Sequence, residues 1–161
     1  VLTVLLVGHI AISLVAIVAG FLAVFGLLGR KILNRWTALF LATTTATSFT
    51  GFLFPVHHFM PSHGAGIISL IALGVAIYAF YSRKLQGAWR KTYAVTAVLS
   101  LYLNVFVLIV QSFQKIPALK ALAPTQTEAP FKFTQLVVLV AFVVVVILAA
   151  IRIPAQPAQP N

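Results

Sequence analysis

The chain alternates long apolar runs with short basic ones. Five stretches, residues 1–29, 36–54, 63–82, 92–113 and 131–151, are apolar over close to the ~20 residues that a bilayer crossing needs. Arg30 and Lys31 close the first and Pro55 closes the second. The third follows Pro61, with Ser62 as a candidate N-cap. The pattern predicts an all-α fold: one polytopic membrane helix bundle of five transmembrane helices over residues 1–152. A disordered Pro-rich tail, "IPAQPAQPN", is expected over 153–161. The first run is too long for a signal-peptide core and shows no cleavage site, so it reads as a retained helix. A start at Val1 rather than Met suggests further residues upstream.

Composition agrees with this class. Hydrophobic residues make up 61% of the 161 positions and charged residues 7%. A soluble domain carries about a quarter charged residues. The net charge of +10 is not the signature of a nucleic-acid partner, because the charges sit in clusters between apolar runs. Such clusters set topology and touch anionic lipid headgroups. Eight of the 11 Lys and Arg (Arg30, Lys31, Arg35, Arg83, Lys84, Arg90, Lys91, Arg152) fall on one side of a five-helix arrangement. Lys115, Lys120 and Lys132 fall on the other. The positive-inside rule then sets the N-terminus outside and the C-terminus in the cytoplasm, with a bacterial inner membrane as the expected compartment. Trp36, Tyr78, Tyr81 and Trp89 fall near the inner boundary, as an aromatic belt would. The chain has no cysteine, which removes disulfides, thiolate ligands and thiol nucleophiles.

Against this apolar background the stretch "VHHFMPSHG" is unusual. It gathers His57, His58, His63 and Met60, the only methionine. Counting ~20 residues back from Arg30 brings His9 to the same depth at the outer boundary. Imidazole suits zinc, copper and iron, thioether favours copper(I), and haem iron takes either axially. The five residues are therefore candidate ligands for haem, copper or zinc. The competing reading is a polar turn at headgroup level.

Two helices carry polar faces. On the fourth, Tyr93, Ser100, Asn104, Gln111 and Lys115 follow steps of seven and four and share one side. Asn104 falls near mid-membrane, where an amide needs a partner. On the second, Thr43, Thr47 and Thr50 form one face, and Thr44, Ser48 and Gly51 a neighbouring one. Small hydroxylated residues let helices approach and bond across. Ser13, Ala16 and Gly20, with Gly66 and Gly74, offer matching small surfaces on the first and third helices. Interhelical bonding explains these faces, and a lining for a quinone or small solute is the sharper alternative.

The longest connection, "QSFQKIPALKALAPTQTEAPFK", predicts a short surface helix over "IPALKALAP" and holds Glu128, the one carboxylate. Glu128 is a candidate ion-pair partner for a nearby lysine, or an outer partner for a histidine ligand.

The segment "LYLNVFVLIVQSFQKIPALKALAPTQ" resembles small bacterial inner-membrane proteins of unassigned function, which implies no activity. A histidine-bearing bundle of few helices is also similar to membrane b-type cytochromes, which implies haem. Those proteins set histidine pairs on facing helices, often at two levels, and here only one level exists. No phosphate loop, H-E-x-x-H, paired carboxylates or intramembrane acid is present, and nothing marks an enzyme. Three functions fit: a membrane protein with an outer histidine site for electron transfer or metal handling, a non-catalytic accessory subunit or homo-oligomer in contact with lipid, or a small-solute carrier.

Overall fold

The computed structural model of the chain describes residues 2–54 and 61–156. Its elements are α1 (Leu2–Leu28), α2 (Asn34–Gly51), α3 (Pro61–Ile77) running on into a π-helical turn (Tyr78–Ser82), α4 (Trp89–Lys115), α5 (Pro117–Leu122) and α6 (Ala129–Arg152). No strand occurs among the described residues. α1, α3 with its π turn, α4 and α6 are long and apolar enough to cross a membrane. α2 has 18 residues and seven hydroxylated side chains, which lower its hydropathy below that of the other four. The expected short surface helix is α5, with Pro117 in its first turn, where the missing N–H costs nothing.

Helix ends follow local chemistry. α1 closes with a Schellman motif: Lys31 N–H donates to Gly26 O at 2.8 Å and Arg30 N–H to Leu27 O at 3.0 Å. Arg30 takes the left-handed position, φ 58°, that glycine usually holds. α2 stops at Gly51 rather than Phe54, because Phe52 and Leu53 turn back onto Phe49 O and Thr50 O. Pro55 disfavours helical backbone in the residue before it.

α1 and α2 pack antiparallel, His9 meeting Thr50 and Ser13 meeting Thr47. Their interface is built from small residues. Ala16, Ala19 and Ala23 are buried. A Cβ on Gly20 would stand 2.6 Å from Leu101 and 2.8 Å from Phe40. α1, α2 and α4 therefore come close at this level, a waist where any side chain in place of Gly20 would force Leu101 and Phe40 to shift. Gly74, by contrast, has open space where its Cβ would be. α3 and its π turn pack on α4, with Leu73, Ala76 and Ala79 buried, and α6 leans on α4 and α1 with only Phe142 and Ala149 buried. Arg152 donates to Leu28 O at 3.2 Å, so the end of α6 satisfies an orphan carbonyl at the end of α1. Ile153 is buried, and residues 157–161 of the expected tail lie outside the described residues.

Arg30, Arg35, Arg83 and Arg152 thus gather at one end of the bundle, the basic end. The aromatic side chains there interlock, with Tyr78 edge-on to Trp89 at 5.2 Å and Arg83 lying over Trp89 at 5.4 Å.

Candidate ligand cavity

Above the Gly20 waist, away from the basic end, the helices diverge. A cavity of about 520 Å³ opens between α1, α2, α3 and α4. Its wall is mostly aliphatic, and His9, Thr47, His63, Asn104, Gln111 and Lys115 interrupt it. Of the candidate site residues, the fold gathers these around one space.

His9 has a defined hydrogen-bond role. Thr50 carries one hydroxyl proton and donates it to Ala46 O at 2.8 Å, one turn back on α2. Its oxygen is then the acceptor for His9 Nδ1, 2.8 Å away. That hydrogen-bond pattern assigns the neutral imidazole the tautomer with its hydrogen on Nδ1 and a lone pair on Nε2. Nε2 has no hydrogen-bond partner among the described residues. Phe54 stands edge-on to the ring at 5.2 Å and fixes its plane. His63 packs against Phe52, ring centres 5.8 Å apart.

The hydroxyls of the wall are largely committed to the protein. Ser13 donates to His9 O at 2.7 Å and lies 3.3 Å from Thr47. Ser48 donates to Ser69 at 3.4 Å, joining α2 to α3. Asn104 donates from Nδ2 to Thr44 at 3.2 Å, joining α4 to α2, the helix whose threonine faces single it out as the partner. α2 is the hub: it offers Thr47 and Thr50 to α1, Ser48 to α3 and Thr44 to α4. Asn104 keeps its carbonyl oxygen and one N–H for other partners. Gln111 is half-buried, and its amide has no partner among the described residues. Lys115 is the one charged side chain in the lining.

Several candidates lie elsewhere. Ser100 is fully buried and donates to Thr96 O at 2.9 Å, in the core rather than the cavity. A seven-residue step drifts ~20° around a straight helix, so the stripe on α4 divides between the two. Thr43 donates to Leu39 O at 2.6 Å, and its neighbour Thr44 faces α4 instead. Glu128 is partly exposed and turned into its own loop. It accepts from the Thr125 hydroxyl at 2.8 Å, Thr125 N–H at 3.2 Å and Thr127 N–H at 3.0 Å. These bonds, the Thr125 hydroxyl first, hold its carboxyl below the usual range. With both oxygens engaged, it makes no ion pair and backs no histidine among the described residues. His57, His58 and Met60 lie outside the described residues. Within the described residues no group of three His, Cys, Asp or Glu is placed to hold a metal.

Sequence reasoning passed over Ser69. His63, Gly66 and Ser69 recur at steps of three, so one face of α3 lines the cavity, and that spacing was the available signal. No family model, characterised protein or solved structure matches the chain.

Proposed function

We propose that the protein crosses a bacterial inner membrane five times, N-terminus outside, and binds a small amphipathic ligand in the cavity of its outer half. The observation that carries this reading is the cavity itself: apolar walls interrupted by His9, Asn104, Gln111 and Lys115 from two separate helices. Pockets of this kind fix orientation with few polar groups and gain affinity from apolar contact.

Two features support a fifth crossing by α2. Its 18 residues rise about 27 Å, close to the ~30 Å hydrocarbon thickness. It also runs antiparallel along α1 from the Leu33–Gly26 contact to the His9–Thr50 bond. Its polar side chains are spent on its own backbone and on neighbouring helices, so they need not face lipid. With α2 crossing, the basic end is cytoplasmic.

A transition metal or haem is the second reading, favoured by His9 and His63 lining one cavity with the Nε2 lone pair of His9 open. Protein purified in mild detergent separates the two. The first reading expects an organic amphiphile in the solvent extract, near one per chain, with neither a Soret band nor stoichiometric metal. A Soret band or bound metal, lost in both His9→Ala and His63→Ala, would move the conclusion to the second. An empty cavity with a copurifying membrane protein would move it to an accessory subunit.

A further inference from the structure

The groups left open in the cavity form two stations at different depths. The upper one pairs an acceptor, His9 Nε2, with the amide of Gln111. The lower one is the unspent half of the Asn104 amide. Depth is read along α2, where His9 is tied to Thr50 and Asn104 to Thr44. Six residues of helix separate those anchors, about 9 Å of rise. Gln111 lies seven residues from Asn104 on α4, a rise of about 10 Å, which brings it to the level of His9.

A one-ended amphiphile such as a fatty acid or a long-chain alcohol satisfies one station and leaves the other dry. A six-membered ring with oxygens at opposite positions, and a hydrogen bond of ~2.8 Å at each end, covers the interval. His9 Nε2 demands a donor, so the upper oxygen must carry hydrogen.

The exit for a tail is also marked. Ile10 and Leu14 on α1 and Leu108 on α4 line the cavity, yet are 45%, 48% and 40% exposed. They border a lateral opening toward lipid, between the two stations in depth. On a para-hydroquinone the side chain leaves the ring between the oxygens, across the line that joins them. A ring upright between the stations sends its chain through that opening.

We infer that the cavity receives a lipid-tailed para-hydroquinone from the outer leaflet, held by His9 and Gln111 above and Asn104 below. The inference rests on the cavity being a ligand site and adds the class of ligand. The benzoquinone form lacks the hydrogen that His9 accepts, so it binds more weakly. One hydrogen bond changes affinity about two- to tenfold.

The test uses the full chain in nanodiscs of neutral lipid and measures retention of 2-decyl-1,4-hydroquinone, its benzoquinone, its dimethyl ether, decanoic acid and decanol. Oxygen-free buffer keeps the hydroquinone reduced, and the benzoquinone is measured in the same buffer. Saturable binding is expected for the hydroquinone, at least twofold tighter than for the quinone and tighter still than for the ether. Gln111→Leu and His9→Phe should each weaken it about two- to tenfold. Thr50→Val keeps the imidazole but removes the acceptor for Nδ1, so the quinol-over-quinone ratio should fall toward one. That variant and Gln111→Leu keep the test alive if His9→Phe does not fold. Quinone bound as tightly as hydroquinone by the wild type, or an unchanged ratio in Thr50→Val, overturns the assignment. Decanoate or decanol retained in place of the hydroquinone overturns the ligand class and leaves the cavity reading standing. Retention of none of the five overturns both.

Discussion

Asn104 on α4 donates to Thr44 on α2 across 3.2 Å, which ties a residue of the cavity wall to the buried core. It joins two helices distant in sequence in the interior of the bundle. Interhelical bonds of this kind contribute about 0.6 kcal/mol on average, because the unfolded chain in the membrane also finds partners. Asn104→Leu should lower stability by about that much. The cycle with Thr44→Val, read by reversible unfolding in detergent, should show the double variant less destabilised than the sum of the singles. Strict additivity would mean that the bond does not form.

Gly20 and Gly74 should respond in opposite ways. Gly20→Val drives a branched side chain into Leu101 and Phe40, and overpacking of this sort costs about 1–3 kcal/mol or more. Gly74→Ala meets nothing and removes a flexible residue from a helix, so it should be neutral or stabilising by up to ~1 kcal/mol. Melting temperatures of the two variants in one detergent check the pair.

Orientation has its own test. Reporters fused after Ala88, in the basic loop, and after Ala123, beyond α5, should report cytoplasm and periplasm respectively. Equal reports from both positions would mean an even number of crossings between them, which α4 excludes if it spans. Reversed reports would invert the sidedness of the cavity.

The Glu128 loop should respond to acid. Its carboxyl is held below the usual range, so its contribution is present above the ordinary glutamate value of 4.5 and is lost as pH falls through the lowered folded value. Protection of the Thr125 and Thr127 amides, taken relative to their intrinsic exchange rates, should fall in that window. In Glu128→Gln that protection should already be lower at neutral pH and should change little with acid. Because all its partners lie within its own loop, the effect should stay local, with the unfolding midpoint of the bundle unmoved.

The helices were legible because apolar runs ended by basic pairs or proline leave few alternatives, and most observed ends fall within three residues of those expected. The link from Asn104 to α2 was legible too, since a mid-membrane amide must bond and one neighbour is rich in hydroxyls. Which hydroxyl serves was not. Thr43 and Thr44 differ by 100° of helix rotation, and only the crossing geometry of α2 and α4 chooses between them. Ser100 was placed on one face with Asn104 and Gln111 for the same reason, a drift along α4 too small to resolve from spacing. Glu128 misled in another way: a lone acid invites a distant partner, but the threonines beside it in sequence reach it first. The Arg152 bond to Leu28 O had no signal, because it joins residues at opposite ends of the chain.

The Gly20 waist also decides what kind of vessel the bundle is. Beneath it the described core runs through Phe40, Leu101, Val98, Leu73 and Leu27, all essentially sealed from solvent. A molecule that enters from the outer half meets a closed bottom halfway across. The arrangement is a cup rather than a tunnel: permeation would require α1, α2 and α4 to part where they are pressed closest together. On the proposed reading and topology, loading and unloading both take place on the outer side of the waist, and the concentration of occupant in that leaflet sets how full the cup is.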